Sequence, residues 1–555
     1  MNLKHAFDPA AIAVVGASED TNKTGGRALD FLQRFGFSGQ LFAVNPNARS
    51  TQGLTCYASV PELPVVPDLV IIALPGRLVA EALRQCAEFG VKVVVVTSSG
   101  FGELGESGRI AEEEMLAIGR SNGMRIIGPN SQGMANFSNG AVASFSSLFL
   151  EVPPVDGPVA IISQSGSMSV VPYCQLREKN IGVRYCVATG NQIDLDVGDF
   201  ALAAIEDPAI ELVLLYFESL RETRALREAA RKARVRGVPI VALKAGSSAV
   251  GQSAAQSHTG ALATEDRVVD AFLARHGIWR AQDADELVRA SELYLKGWTA
   301  RGRRLVILTD SGASAVMMAD GAARLGLEVV EFPQSVRERL AAILPAYASV
   351  SNPIDMTSVL RTNPELYGRV LDVVVDSEIG DLFVVGFPAS GKGYDVAGLA
   401  KMTGDRFAKA GLPLAVAIPQ TTIASWFVAT AIPTFASETE ALKVLHQLAS
   451  HSAMLQQSPS ESVAQSVIEI PAGDNPFMSE AESLAFLKDQ GLPVVAYENC
   501  QTPSDAVDAL SMLGAPVVLK GSSPELQHKS ELGLVLLDIT QAEQVVEGFQ
   551  SLTSR

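Results

Sequence analysis

Runs of β-branched and aliphatic residues alternate with helix-length stretches from the start of the chain, and this alternation narrows the possible folds more than any other feature. In the first 150 residues the candidate strands are AIAVVGAS, GQLFAVNP, DLVIIALP, VKVVVVTSSG and MRIIGPN. Strands separated by helices pair in parallel, because each helix carries the chain back across the sheet. The pattern predicts an α/β fold made of parallel, doubly wound sheets.

The alternation restarts twice, which divides the chain into domains. EVPPVDGP (151–158) precedes a series that opens with PVAIISQSGSMS, and KGWTARGRR precedes one that opens with RLVILTDSGASAV. The polar stretch QQSPSESVAQS is typical of a linker. We predict three α/β domains at 1–150, 155–300 and 301–452, a linker at 453–475 and the start of another module at 476–555.

Composition and charge exclude several classes of protein. The formal net charge of -17 disfavours a nucleic-acid or anionic-membrane surface, because such partners require a positive field. The 5 cysteines are scattered without any CxxC pair, which predicts a reducing compartment and no metal site. The N-terminus lacks an apolar signal region, and the apolar runs have the length of strands. We expect a cytoplasmic protein.

The first strand-to-helix turn, VVGASEDTNKTGG, differs from a dinucleotide-binding turn. That fingerprint requires G-x-G-x-x-G and an acidic residue at the end of the second strand. Here Gly16 is followed by Ser18, and the second strand ends with Asn45 instead of a carboxylate. A nicotinamide oxidoreductase is therefore disfavoured. A polar loop that carries Lys23 suits a pyrophosphate or a phosphorylated nucleotide, and a turn without any ligand is the alternative.

A single histidine, His258, lies among small residues in AAQSHTGALA. The turns SQSGSMS (163–169) and TDSGASA (309–315) each place Ser-Gly at a helix start, where free N–H groups attract phosphate. Together they suggest a phosphate that the imidazole carries, provided that a carboxylate fixes its tautomer. Glu218, after the apolar strand ELVLLYF, is the candidate carboxylate; a solvated residue at a strand end is the alternative.

With these motifs the chain resembles the NDP-forming acyl-CoA synthetases, relatives of succinyl-CoA synthetase. SHTGALA is similar to the loop of the phosphorylated histidine in that family, and AVVGAS, FAVNP, IALP, TSSGFGE and GPNSQG are similar to its CoA-binding domain. The resemblance covers almost the whole chain. It implies a Rossmann-like CoA-binding domain, two flavodoxin-like domains of the succinyl-CoA synthetase type, and, from PVVLKGSSPELQHKSELG, the N-terminal part of an ATP-grasp domain.

The resemblance implies a role for individual residues. His258 would carry the phosphoryl group, with Glu218 as its partner carboxylate, and Lys520 would approach the phosphates of ATP. The helix starts that hold the phosphate would be Ser165, Gly166, Ser311 and Gly312. The groove for CoA would be lined by Gly16, Ser18, Lys23, Asn45, Pro75, Ser98 and Ser99.

The implied reaction joins a carboxylic acid to CoA at the expense of ATP, through a phosphohistidine and an acyl phosphate. TDSGASA departs from the double glycine of the family, so the second phosphate turn is expected to differ. The ATP-grasp segment ends at Arg555, before the lobe expected to supply the Mg²⁺ ligands. We therefore expect this chain alone not to turn over ATP.

Several alternatives stay open at the level of sequence. A non-catalytic CoA-binding regulatory protein is the alternative function. The resemblance implies a homodimer without nucleic-acid or membrane partners. The residues do not identify the acid, nor do they distinguish ATP from GTP.

Overall fold

Both faces of the first sheet are covered, as the alternating pattern predicts. The computed structural model describes residues 3–220, 222–248, 250–251, 265–388, 390–457, 477–525 and 529–554. Ile12 and Val14 of the first strand share a core with Leu29, whereas Ala13 and Val15 share another with Leu83. Alternate side chains of one strand thus face helices on opposite sides, which requires continuous apolar strands.

The first sheet contains the five predicted strands and two short additional ones. Its strands are β1 Ala11–Val15, β2 Gln40–Val44, β3 Ser50–Thr51, β4 Leu54–Tyr57, β5 Leu69–Ile72, β6 Val93–Val96 and β7 Arg125–Ile127. They lie in the order β3-β4-β2-β1-β5-β6-β7, parallel except for the pair β3–β4. The helices are α1 Lys4–Phe7, α2 Thr24–Arg34, α3 Val79–Phe89 and α4 Glu106–Ser121, with 3₁₀ turns at Val60–Glu62, Gly76–Leu78 and Gly102–Leu104.

The second sheet is parallel over most of its width and ends in an antiparallel hairpin. Its strands are β8 Gly133–Asn136, β9 Ala141–Ser144, β10 Val159–Ser163, β11 Val183–Ala188, β12 Leu212–Phe217, β13 Ile240–Lys244 and β14 Trp279–Ala281. They lie in the order β14-β13-β12-β10-β11-β8-β9. The helices are α5 Leu148–Glu151, α6 Ser167–Glu178, α7 Val197–Glu206, α8 Arg224–Arg236, α9 Asp266–His276, α10 Ala284–Arg289 and α11 Ser291–Tyr294.

The hairpin β8–β9 does not follow the predicted boundary at residue 150. Both strands precede that boundary, yet β8 pairs antiparallel with β11, with Gly133 opposite Ala188. The hairpin covers the edge of β11, which would otherwise expose unpaired backbone groups. The proline-rich stretch 151–158 connects α5 to β10, but the strand pairing decides which sheet a segment joins.

The third sheet is entirely parallel among the described residues. Its strands are β15 Arg304–Thr309, β16 Glu328–Val329, β17 Ile354–Asp355, β18 Leu382–Gly386, β19 Leu414–Ala417 and β20 Thr434–Phe435. The order is β16-β15-β18-β19-β20, and β17 also pairs with β15. The helices are α12 Gly312–Arg324, α13 Gln334–Ala341, α14 Glu365–Asp376, α15 Val396–Ala410, α16 Thr421–Ala429 and α17 Glu438–Gln456, with a 3₁₀ turn at Thr357–Arg361.

The chain divides into two units, Met1–Pro459 and Ser460–Arg555. In the second unit, β21 Val517–Lys520 and β22 Val535–Ile539 form an antiparallel pair. Its helices are α18 Glu480–Asp489, α19 Pro503–Leu513 and α20 Ala542–Ser554. A small core around Ala506, Ile539 and Val545 holds β21, β22, α19 and α20 together. The predicted linker falls mostly on residues 458–476, outside the described residues.

Polar contacts join the first two sheets. The Leu195 N–H donates to the Ile126 carbonyl at 3.2 Å, so the segment after β11 runs beside β7. The Asp194 carboxylate accepts from Arg125 Nε at 2.7 Å and from the Ile126 N–H at 2.9 Å. A half-buried pair that is also bonded to backbone fixes geometry better than an exposed pair does. The first two sheets therefore meet at a defined angle.

The cysteines and the helix lengths can be compared with the expectations from composition. The five cysteines, all within the described residues, are free thiols, and burial raises the pKa of Cys86 and Cys186 to about 12. No helix of the described residues is long and apolar enough to cross a membrane.

A buried histidine joins α17 to the second sheet's helices. His451 is fully buried; its Nδ1 accepts from the Tyr294 hydroxyl at 2.9 Å, and its Nε2 donates to the Gly277 carbonyl at 3.1 Å. One neutral tautomer satisfies both bonds. Burial lowers the pKa of His451 to about 4. These contacts give His451 a structural role.

This pKa predicts a specific loss of stability in acid. The unfolded chain protonates His451 below pH 6.5, whereas the folded protein keeps it neutral down to about pH 4, so stability falls as the pH falls through that window. The contribution reaches about 3 kcal/mol. Thermal unfolding should show a steeper decrease of the midpoint for the wild type than for His451→Gln between these pH values. Equal slopes for the two proteins would contradict the assignment.

Candidate functional site

The residues predicted to bind CoA follow the carboxyl ends of neighbouring strands in the first sheet. Gly16 follows β1, Asn45 follows β2, Pro75 lies after β5, and Ser98 and Ser99 lie after β6. Because these strands are parallel, their ends share one edge of the sheet, where open α/β sheets bind ligands. The structure therefore brings these predicted residues to a single edge.

Close backbone approach explains the glycines of the first turn. Gly16 has a φ of +86°, and a Cβ there would lie 2.3 Å from the Ala73 carbonyl oxygen. A Cβ on Gly25, in the first turn of α2, would lie 2.1 Å from the Gly16 oxygen. The turn thus packs α2 directly against β1 and β5. Only glycine fits both positions.

The polar side chains of this loop divide into two groups. The Asn45 Nδ2 group donates to the Ala17 carbonyl at 2.8 Å, and its Oδ1 accepts from the Asn47 N–H at 2.9 Å, so this amide holds the loop itself. Ser18 Oγ accepts from the Asp20 N–H at 3.2 Å. Lys23, by contrast, is exposed at the start of α2, which has no side-chain cap. An anion at this helix start would meet free N–H groups and a cation.

The turn between β10 and α6 is held in place by its own serines. Ser163 Oγ donates to the Ser165 carbonyl at 2.6 Å and accepts from the Ser165 N–H at 3.0 Å. The helix begins at Ser167 after Gly166, without a side-chain cap. Ser165 and Ser167 hydroxyls lie 3.1 Å apart on the exposed side. Uncapped N–H groups beside two hydroxyls form a geometry that accepts an anion.

Gln164 connects this turn to Glu218. Its Oε1 atom accepts from the N–H groups of Glu218 at 2.8 Å and Ser219 at 3.2 Å. The strands β10 and β12 are adjacent and parallel, with Ser163 opposite Tyr216. The predicted carboxylate and the predicted phosphate turn therefore lie side by side at one edge of the second sheet.

The Glu218 carboxylate contacts a tyrosine of β12. It lies on the same side of β12 as Tyr216, and the two side chains are hydrogen-bonded. Burial, with the charge and hydrogen bond of Glu218, raises the pKa of Tyr216 to about 12. The phenol therefore donates to the carboxylate and holds it at the strand end.

Sequence reasoning missed two further residues near this edge. Lys244 ends β13, opposite Phe217 of β12, and its side chain is only 1% exposed. Gln132 lies against the phosphate turn, since a Cβ on Gly166 would lie 2.7 Å from its Cγ atom. A lysine that ends an apolar strand carries the same signal that identified Glu218. Gln132 has no comparable signal, because its neighbour in space is distant in sequence.

The second predicted phosphate turn differs from the first. Ser311 Oγ accepts from the Ser314 N–H at 3.5 Å, so this helix caps itself. A Cβ on Gly312 would lie 3.1 Å from Asp355 Oδ2, and Ser314 Oγ donates to Glu438 at 2.8 Å. Among the described residues, no hydrogen bond joins Ser165 or Gly166 to Ser311 or Gly312. Carboxylates around a capped helix start repel an anion, so this turn is less suited to phosphate.

A polar cavity of about 220 Å³ lies beside the Glu218 edge. Its charged lining consists of Arg120, Asp194, Asp196 and Glu222, and Ser219 also lines it. Burial raises the pKa of Asp196 to about 6. An excess of carboxylates makes this cavity unsuitable for the phosphates of CoA or ATP.

His258 and Lys520 are the remaining predicted residues. His258 lies in 252–264, outside the described residues. In the second unit, Lys520 donates to Glu480 at 2.8 Å, and Lys529 donates to the other oxygen of that carboxylate. Both lysines lower the pKa of Glu480. In the part of the chain that the structure describes, no group of three or more His, Cys, Asp and Glu side chains could hold a metal ion.

Family models match the chain in three places. A succinyl-CoA ligase-like flavodoxin domain matches residues 156–294, a CoA-binding domain matches 10–136, and an ATP-grasp domain matches 470–555. These matches agree with the fold class expected from the sequence.

Whole proteins show the same relationship. A trans-feruloyl-CoA synthase of an unknown prokaryotic organism is 31% identical over 551 residues, 98% of this chain and 77% of that protein. The alpha subunit of ADP-forming acetate–CoA ligase II of Pyrococcus furiosus is 35% identical over 382 residues, 69% of this chain and 81% of that subunit. The dinucleotide-forming acetyl-coenzyme A synthetase 1 of Ca. Korarchaeum cryptofilum, solved with phosphate and ADP, matches with a TM-score of 0.73 and 29% identity, covering 82% of this chain and 97% of that one.

The fold and these relatives define an acid–thiol ligase. The chain belongs to the family of ADP-forming acyl-CoA synthetases. The resemblance seen in the sequence is thereby confirmed, and the family favours an enzyme over a non-catalytic CoA-binding protein. Membership implies the use of CoA and ATP.

The packing of the first turn predicts a selective effect on CoA binding. Gly16→Ala should weaken CoA binding about tenfold or more, because the new Cβ meets the Ala73 carbonyl and the positive φ adds strain of about 1–3 kcal/mol. Gly36→Ala is the matched control, since Gly36 has a φ of +77° but no atom within 4 Å of its Cβ position. Isothermal titration with CoA measures both. Equal affinities for the two variants would contradict the proposed groove.

Proposed function

We propose that this chain takes part in forming acyl-CoA from a carboxylic acid, CoA and ATP, with His258 as the phosphoryl carrier. In the first step the γ-phosphoryl group of ATP passes to a ring nitrogen of His258 and ADP leaves. An oxygen of the substrate carboxylate then attacks phosphorus, the P–N bond breaks, and an acyl phosphate forms. The CoA thiolate attacks the acyl carbon, and inorganic phosphate leaves with the C–O bond electrons.

The observation that carries the proposal is the pair of hydrogen bonds that Gln164 Oε1 accepts. They join this atom to the N–H groups of Glu218 at 2.8 Å and Ser219 at 3.2 Å, and so hold the Ser165–Gly166 turn beside Glu218. A phosphoryl carrier requires donors for the phosphate oxygens and a carboxylate for the other imidazole nitrogen. Both are available at this edge, and sequence order places His258 after the adjacent strand β13.

Glu218 would hold the tautomer of His258 that presents a free nitrogen. After transfer, the carboxylate would also stabilise the positive charge on the ring. The hydrogen bond with Tyr216 keeps this carboxylate oriented while the phosphoryl group arrives. Ser311 and Gly312 stay a prediction for a second phosphate contact, and their self-capped helix start makes them the weaker candidate.

The CoA groove would follow the edge of the first sheet. Gly16, Ser18 and Lys23 would approach the phosphates at the start of α2, while Pro75, Ser98 and Ser99 would border the rest of the ligand. Lys520 would approach the phosphates of ATP. These phosphates must compete with the Glu480 carboxylate for the Lys520 ammonium group. Mg²⁺ would accompany ATP, but the described residues offer no ligand set for it, and we assign none.

The acid is proposed as a monocarboxylate. Relatives are named for feruloyl-CoA, acetate and 4-hydroxybutyrate, so a screen should begin with ferulate, acetate and 4-hydroxybutyrate. The homodimer predicted from the sequence stays a prediction for analytical ultracentrifugation, and the preference for ATP or GTP can be settled in the same screen.

The phosphohistidine predicts a covalent adduct that can be mapped. Incubation with Mg²⁺-ATP, with a complete ATP-grasp domain present, should add one acid-labile phosphate, and His258→Ala should abolish both the adduct and acyl-CoA formation. Intact-mass spectrometry with site mapping measures this, and His5→Ala controls for an unrelated histidine. Full ligase activity in His258→Ala would contradict the carrier role.

The strand β12 offers a matched pair of glutamates for testing the carboxylate. Glu218→Gln should lower the rate of His258 phosphorylation by about 10²–10⁴-fold, because the neutral amide cannot stabilise the charged ring. Glu211, at the amino end of the same strand, is exposed, and Glu211→Gln should behave like the wild type. Rapid-quench measurement of phosphoenzyme formation gives both rates. Equal rates would remove Glu218 from the mechanism.

A further inference from the structure

A buried lysine lies at the base of the segment that contains His258. Lys244 is the last residue of β13, and its side chain is 1% exposed. Its Cα is paired with that of Phe217, the residue before Glu218. The cation therefore lies at the same edge of the sheet as the proposed carboxylate, and the reaction outlined above assigns it no role.

The contacts of Lys244 reach both sides of that segment. Its Nζ donates to the Gly246 carbonyl at 2.5 Å, and it lies 3.4 Å from Asp266 Oδ1. Gly246 precedes residues 252–264, and Asp266, the first residue of α9, follows them. One ammonium group thus joins the two flanks of the stretch that carries His258.

A second cation, Arg280, also binds Asp266. Arg280 of β14 donates to the same Asp266 oxygen at 2.6 Å, and it lies 3.4 Å from Asp270. Burial raises the pKa of Asp266, but the bonds and charges of Arg280 and Lys244 outweigh it and lower that pKa overall. Asp266 is therefore a carboxylate held between two cations.

Burying an ammonium group costs free energy unless it is paired. A methionine would fill the same space without that cost, so stability alone does not favour a lysine here. The two contacts instead fix how far apart the flanks lie. His258 must meet both a phosphoryl donor and a phosphoryl acceptor. The position of the residues that flank its segment therefore determines the rate of transfer.

We propose that Lys244 is a positioning residue for phosphoryl transfer, joining Gly246 and Asp266 so that the flanks of the His258 segment keep a fixed separation. This role rests on the proposed function of His258. It assigns Lys244 no contact with phosphate, so the effect should be on the rate of transfer and not on the binding of nucleotide.

The test compares Lys244→Met, Lys244→Arg and Asp266→Asn in the full chain. Lys232→Met is the control, because Lys232 pairs with Glu206 at 2.6 Å on the surface of the same region. The rate of His258 phosphorylation is measured over a range of Mg²⁺-ATP concentrations, with a complete ATP-grasp domain present. Hydrogen exchange of residues 245–251 and 265–276 reports separately on the two flanks.

We expect Lys244→Met to lower the maximal rate about 10- to 100-fold, without a change in the ATP concentration that gives half that rate. Exchange should accelerate in both flanks, Lys244→Arg should recover part of the rate, and the double variant with Asp266→Asn should lose no more than the stronger single variant. Lys232→Met should leave rate and exchange unchanged.

Unchanged exchange in both flanks, or a rate within twofold of the wild type, would overturn the proposal for Lys244. A wild-type protein that forms no phosphohistidine would instead overturn the proposed function. The exchange measurement would still decide whether Lys244 joins the flanks, so the two failures can be told apart.

Discussion

The parallel register of β10, β12 and β13 is the constraint on which the site depends. It places Ser163 opposite Tyr216, and Phe217 opposite Lys244, so three successive strands end at the same edge. The turns that follow carry hydroxyls, a carboxylate and an ammonium group. The two hydrogen bonds that Gln164 accepts then fix the turn after β10 relative to the turn after β12. A shift of one strand by one residue would turn these side chains to opposite faces of the sheet.

Local electrostatics at this edge oppose the net charge of the protein. The chain carries a net charge of -17, yet the Ser165–Gly166 turn presents uncapped N–H groups and hydroxyls. The corresponding turn at Ser311 is capped by its own side chain and faces Asp355. Two similar sequence motifs thus lie in different electrostatic environments. These environments differ because the neighbouring residues come from parts of the chain that are distant in sequence. Anion binding in an acidic protein requires this kind of local arrangement.

Much of the architecture could be predicted, because hydrophobic periodicity reports directly on strands and helices. All five strands predicted in the first domain are present, as are the strands around both Ser-Gly turns. The hairpin β8–β9 could not be assigned to its sheet, since edge pairing depends on which strand end lies nearby. Gln164 lies within the motif SQSGSMS, but the hydrogen bonds that connect it to Glu218 depend on the order of the strands. His258 was found from its small neighbours and lies outside the described residues.

The sequence by itself determined the α/β class, the separate series of strands, and the family, because the spacing of apolar residues and the local motifs are properties of contiguous residues. It also identified Glu218, since a charge after a buried strand has to lie at the sheet's edge. Only the tertiary structure decided that Lys244 joins Gly246 to Asp266, that Gln132 lies on Gly166, and that the Ser311 turn faces carboxylates. Those facts depend on packing between segments far apart in the chain, and no local pattern of residues records such packing.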